Sequence, residues 1–462
     1  MTPVTDFPKM NFGLSGPGAL VEWQTHYHLD DARIADGLAA HVDPIYADLL
    51  DVAVATYVAD RVSRRRPKGK RDNGSFWRRR LHLRIGVRCP EAWNRPGTRD
   101  LVHRLLEWLT DDIWEVEFSD PQSARPLAGA QGRLFDERHD RPTQVMLFSG
   151  GLDSLLGALA DASDPAGELI LVAAGTQTAM RARQRELATE VARRLPRRVR
   201  LIVVPVGLTA AGRALVDGGE EKTQRTRGFV FLSLGAVVAA AAGHNQLRVH
   251  ENGPGALNLP LTPGQQGSMN TRAARPETLL LMQDLISQLT DSAFQIVNPA
   301  FWLTKGEMCE RAPAATIDLL ARAVSCDGGF TRRIAGGRLC GTCTSCLLRR
   351  QALLAAGLTQ IDQSDLEQMA GDGLAAGRRH AAPMVLAMLQ QAAEIDRAVT
   401  SGDAWGELVN RFPELPSARR ALQASPDDFV DLLRRYARDW HSLPQHLVAE
   451  FLRQPDAISS TR

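Results

Sequence analysis

The sequence predicts an α/β protein whose central third folds as a doubly wound parallel sheet. Apolar runs near 144–148, 168–173, 199–206 and 246–250 are separated by helical stretches. A parallel sheet requires that alternation, because parallel neighbours are joined by crossover helices. The first run leads into Ser149-Gly150-Gly151-Leu152-Asp153-Ser154 and then into an apolar helix. With 462 residues and 44% hydrophobic content the chain can bury a sizeable core and hold several domains.

Residues 1–140 read as a separate small α+β domain. Asp43 to Asp60 is apolar and helical, and Leu81, Leu83, Ile85 and Val87 alternate as a half-buried strand. Leu101, Leu105, Leu106 and Leu109 make a helical stripe, and Trp114, Val116 and Phe118 a further strand. Residues 141–360 hold the sheet, and Arg213 to Lys222 reads as a mobile loop able to close over a ligand. From 361 to 462 the chain reads as helical, with Ser364-x-x-Glu367 as a capping box and Ser425-Pro426-Asp427-Asp428 as a second helix start.

The loop carries the chemistry. Two glycines let backbone amides approach a ligand closely, and the first amides of the following helix point at it, an arrangement suited to polyphosphate. A Walker A loop would need a lysine that is missing here. The bland reading is a capped strand-to-helix turn. A second constellation, Cys326 with Cys340, Cys343 and Cys346, has spacing that closes a tetrahedral zinc site. Free buried thiols, disulfides and an iron–sulfur cluster are the other readings.

S-G-G-x-D-S resembles the signature of the PP-loop ATPases, which cleave ATP between its α and β phosphates. Followed by the cysteine set and Leu347-Leu348-Arg349-Arg350, it resembles the 7-cyano-7-deazaguanine synthase (QueC) family over roughly residues 140–360. Thr176-Gln177 with Arg181 to Glu186, Arg227 to Leu234 and Leu303 to Met308 match further family segments in order. The resemblance implies a Rossmann-like nucleotide hydrolase fold and the cofactors ATP, Mg2+ and structural Zn2+. Leu147, Phe148, Ser149, Gly150, Gly151, Leu152, Asp153 and Ser154 would form the nucleotide loop, with Asp153 ordering the loop or the magnesium. Asp153, Ser154, Arg227 and Lys305 would serve catalysis.

After the strand ending at Glu251, the chain departs from the family's usual substrate segments, reading Asn252-Gly253-Pro254 and later Asn270 to Glu277. Glu251, Asn252, Arg272 and Arg275 are the substrate-facing candidates. This pattern is more similar to the QueC-like proteins of antiphage defence operons, of which QatC is one. It implies activation of a deazaguanine-like carboxylate, joined to ammonia or a protein amine, and protein partners encoded nearby. A non-catalytic nucleotide-binding scaffold, a tRNA-modifying PP-loop enzyme and the housekeeping synthase are the competing classes.

Net charge is +2, which marks neither a polyanion binder nor an acidic solvating chain. One basic run, Arg61 to Arg80, reads as a surface loop that is either a solvated linker or a phosphate-attracting patch for nucleic acid. Arg193 to Arg200 sits at a helix end, where cations suit the carbonyl dipole. No apolar run is long enough to span a membrane and the N-terminus has no export signal, so a cytoplasmic location is expected.

Overall fold

The computed structural model describes residues 9–65, 78–129, 143–175, 178–215, 220–262, 271–326, 339, 343–362 and 381–441. In chain order its strands are β1 (Lys9–Phe12), β2 (Ala19–Val21), β3 (Tyr27–Leu29), β4 (Arg80–Gly86), β5 (Ile113–Ser119), β6 (Thr143–Leu147), β7 (Glu168–Gly175), β8 (Arg198–Leu208), β9 (Gln246–Arg248) and β10 (Gln295–Val297). The helices that matter below are α1 (Pro44–Val62), α2 (Pro96–Thr110), α3 (Leu152–Ala162), α4 (Thr178–Arg194), α5 (Arg227–Ala241), α6 (Pro276–Thr290), α7 (Lys305–Glu310), α8 (Thr344–Ala355), α9 (Ala381–Val399) and α10 (Pro426–His441).

Two sheets form, in the orders β2-β1-β4-β5 and β10-β9-β6-β7-β8-β3. Every neighbour pair is parallel except β3 on β8. In the larger sheet β6, β7 and β8 step one way and β9 and β10 the other. The strand order therefore reverses between β6 and β9. In open α/β sheets that reversal opens a crevice beyond the carboxyl ends of the strands, where ligands bind.

Helices cover both faces of this sheet. Val145, Ile170, Val172 and Val204 face α5, while Met146, Leu169 and Leu171 face α3 and α4 in a separate core. Strand β7 is buried along its whole length for that reason. The N-terminal elements predicted from periodicity form where the apolar residues recur, as α1, β4, α2 and β5. They do not keep a core to themselves. One continuous apolar cluster runs from Leu81 and Ile85 through Val54 and Phe229 to Val145, and β3 caps the edge of the larger sheet. The C-terminal helices pack a third core onto Leu257 and Phe301. Ser425 and Asp428 cap α10 reciprocally, with Pro426 at its first position. The Ser364 capping box lies outside the described residues.

Two arginines of the basic run, read as surface charge, turn inward. Arg65 grips Asp112 through both Nη atoms at 2.8 and 2.7 Å. Arg79 reaches Asp60 and Asp112 at 2.5 and 2.6 Å. Both arginines are buried, and both carboxylates are fully so. A buried guanidinium–carboxylate set withstands desolvation only when its donors and acceptors are matched, and here Asp112 bridges the two arginines while Asp60 takes Arg79. Of the described basic residues in the run, Arg65 and Arg79 are thus internal, Arg64, Arg78 and Arg80 stay exposed, and residues 66–77 lie outside the described residues. The segment expected to move, Arg213 to Lys222, is held at its described ends. Glu220 pairs with Arg213 and Arg61, and Glu221 accepts from the Arg65 amide.

Candidate functional site

Strand β6 ends at Leu147, and Phe148 still bonds to Val172 before the chain turns into the loop. Gly150 has φ +81°, a left-handed conformation that favours glycine, and its carbonyl accepts from the Val324 amide at 3.1 Å. Gly151 is the N-cap of α3. Ser149 Oγ lies 3.0 Å from Ser154 Oγ and accepts from the Gly151 amide at 3.2 Å. Ser325 Oγ takes the Leu152 amide at 3.0 Å, and Gln184 Nε2 donates to the Ser149 carbonyl at 3.1 Å. The loop is fixed from four directions, with a helix N-terminus aimed outward from it.

Beside the loop, Lys305 Nζ sits 2.6 Å from Asp153 Oδ2, and Asn252 Nδ2 donates to Asp153 Oδ1 at 2.7 Å. Lys305 begins α7, whose N-cap Thr304 and Glu307 form a capping box. Asn252 Oδ1 in turn caps the short helix Gly253–Leu257 by accepting from Gly255 at 3.0 Å. Burial disfavours the Lys305 ammonium, but the Asp153 and Glu251 carboxylates outweigh it and raise its pKa. Glu251 behaves oppositely. It lines the cavity, and burial, reinforced by the Asp153 charge, pushes its carboxyl up to about 8.

His250 Nε2 lies 2.9 Å from Asp161 Oδ2, and Arg248 holds the same carboxylate through two bonds of 2.9 Å. Burial raises the Asp161 pKa, and the hydrogen bonds and charges of His250 and Arg248 more than offset it, leaving it lowered. A Cβ at Gly157 would stand 2.2 Å from His250 Cγ, so this close packing of α3 on the end of β9 needs glycine. The pair anchors the segment that presents Glu251 and Asn252.

These residues line a cavity of about 580 Å3 at the strand-order reversal. Ser149, Gly151, Leu152, Asp153, Ser154, Arg227, Glu251 and Lys305 converge there. Its far wall holds Leu259, Met388, Gln391, Leu433 and Tyr436, the last four from the C-terminal helices. A larger concavity of about 680 Å3 shares no residue with the loop, so size does not mark the site. Leu147, Phe148 and Gly150 shape the loop from behind, and Asn252 acts through Asp153. Arg272 and Arg275 do not line the cavity. Arg272 stacks 4.3 Å over Trp108 and pairs with Asp111, while Arg275 pairs with Glu277 and donates to the Leu257 carbonyl. They fasten the 271–275 segment to α2 and α6, and Thr271, just before them, reaches the cavity instead.

Cys326, Cys343 and Cys346 bring their sulfurs within 4.8 Å of one another, with Cys343 and Cys326 at 4.0 Å. Zinc–sulfur bonds of about 2.3 Å in a tetrahedron place thiolates about 3.8 Å apart. The spacing fits a single zinc ion and is far longer than a disulfide bond of about 2.0 Å. Cys340 lies outside the described residues, as do Asn270 and the Thr176-Gln177 pair.

Sequence reasoning gave no role to Ser325, present only as the serine before Cys326 in the family-like cysteine pattern, and did not single out the C-terminal wall, because Met388, Leu433 and Tyr436 look like ordinary helix-core residues.

Residues 270–357 match the family model described as Queuosine biosynthesis protein QueC. The match supports a QueC-like protein; it includes Lys305 and the cysteine cluster and begins downstream of the 149–154 loop. A search of curated proteins finds no matching relative. No described helix is long and apolar enough to cross a membrane.

Two outcomes follow from this geometry. Native mass spectrometry of the purified protein gives one zinc per chain, and Cys343→Ser or Cys346→Ser reduces it to a small fraction. The raised Glu251 pKa makes the unfolded chain shed a proton that the folded chain keeps, so this group costs stability progressively as pH rises from about 4.5 to about 8. Glu251→Gln removes that cost. Urea midpoints of the variant therefore rise relative to the parent across that window, and equal midpoints at every pH would contradict it.

Proposed function

We propose that the protein activates a carboxylate by adenylation, with release of pyrophosphate. The observation that carries this is the convergence of the Ser149–Ser154 loop, the N-terminus of α3, Lys305 and Arg227 on one cavity. Loop amides and two cations suit a polyphosphate whose charge grows as the bond between its α and β phosphates breaks. A carboxylate oxygen of the substrate attacks the α-phosphorus and pyrophosphate departs. An amine then attacks the acyl carbon, forming the amide and expelling AMP. No side chain needs to become a nucleophile, so the protein positions the reactants and neutralises charge.

Asp153 and Glu251 offer oxygen ligands of the kind magnesium takes, and the ion would enter with ATP. Asp153 also orders the loop, because its two oxygens tie Lys305 and Asn252 to α3. The apolar far wall fits a planar heterocycle, in agreement with a 7-deazaguanine-type acid. Conjugation to a protein amine, in a cytoplasmic defence system with partners encoded nearby, is the fuller form of the reading and rests on the resemblance. A nucleotide-binding scaffold is the second reading, because the chain departs from the QueC family's usual substrate segments after Glu251.

The test is pyrophosphate release from ATP and magnesium with 7-carboxy-7-deazaguanine, with and without the protein's genomic neighbours. Release that depends on the acid and falls at least 100-fold in Asp153→Ala and Lys305→Ala supports adenylation. ATP bound without turnover under every condition supports the scaffold.

A further inference from the structure

The arginine-rich end of α1 does more than close the core. Asp60, fully buried near that end, directs Oδ2 at the residue just before α5. It accepts from the Thr226 amide at 3.2 Å and from Thr226 Oγ1 at 3.1 Å. Its other oxygen is held by Arg79, which Asp112 holds in turn. One turn earlier on α1, Tyr57 hydroxyl reaches Gln224 Oε1 at 3.5 Å, and the Arg227 guanidinium donates to the same oxygen at 3.4 Å. Arg61 and Arg65 fasten Glu220 and Glu221, which lead into this turn. Helix α1 thus holds both the backbone that launches Arg227 and the oxygen against which its head group rests.

We infer that Tyr57 and Asp60 are positioning residues for Arg227 in the nucleotide cavity, acting through Gln224 and Thr226. The N-terminal region is then a working part of the ATP site. Its arginines are used to fix a carboxylate, and the carboxylate fixes the start of α5. Thr226 itself lacks a side-chain cap within its helix, so its hydroxyl is given entirely to Asp60. A guanidinium on a long stem loses much rotamer freedom when it grips phosphate, and a fixed turn beneath it lowers that loss.

This inference rests on the adenylation reading only in taking ATP as the ligand, and its test reads nucleotide affinity rather than turnover. ATP–magnesium binding is measured by calorimetry on the full chain for Tyr57→Phe, Thr226→Val, Arg227→Ala and both double variants. Asp60→Asn, which could unfold the buried network, is not relied on. Arg227→Ala weakens binding about 10-fold or more, and Tyr57→Phe and Thr226→Val about 3-fold each. Placed in the Arg227→Ala background, the two milder changes have no further effect, because the group they position is gone. Losses that multiply with Arg227→Ala would show a merely structural role and overturn the inference. Unchanged affinity in Tyr57→Phe and Thr226→Val would overturn it as well. Absence of ATP binding by the parent protein would instead overturn the adenylation reading, and the inference would fall with it.

Discussion

An ammonium and a carboxylate held 2.6 Å apart at the base of the cavity join elements that lie far apart in the sequence. Asp153 belongs to the first turn of α3, Lys305 begins α7, and Asn252 brings the end of β9 to the same carboxylate. Because the pair is buried, either charge alone would be strongly disfavoured, and removal of one partner would expose the other to that cost. Asp153 thereby joins α3, α7 and the Asn252 segment at one point. Glu251 stands beside this pair, and its raised pKa comes first from burial and then from the Asp153 charge, with Lys305 opposing.

The regions on either side of the loop domain complete this centre from without. Arg435 on α10 grips Glu307, the residue that closes the capping box at the start of α7, and donates to the Trp302 carbonyl at 3.1 Å. Helices α9 and α10 supply the apolar wall facing the loop. An apolar wall over a polar floor lowers the local dielectric and strengthens charge interactions within the cavity. On the other side, α1 packs along α5 within the shared core. The loop region and the C-terminal helices line the cavity, and the N-terminal region packs behind α5.

Much of this was legible in the sequence, for identifiable reasons. Local signals were strong where one physical demand fixes the residue type. Alternating Trp114, Val116 and Phe118 require a strand with one buried face, and a left-handed Gly150 requires glycine. Ser149, Asp153, Ser154, Arg227 and Lys305, singled out by their family-like order, line one cavity. Long-range pairing was not legible. Arg65 and Arg79 read as surface charge, because nothing local shows that Asp60 and Asp112 will be buried against them. Arg272 and Arg275 read as ligand-facing for the same reason. Their partners, Trp108, Asp111 and Glu277, are ordinary residues whose arrangement only the fold supplies.

Adenylation makes a demand that no other use of this cavity shares: one oxygen of the substrate carboxylate must end on the phosphorus of AMP. The decisive measurement is mass spectrometry of the AMP formed from 7-carboxy-7-deazaguanine labelled with 18O in its carboxylate. The account predicts one 18O per AMP released. Unlabelled AMP, or ADP with inorganic phosphate, would contradict it.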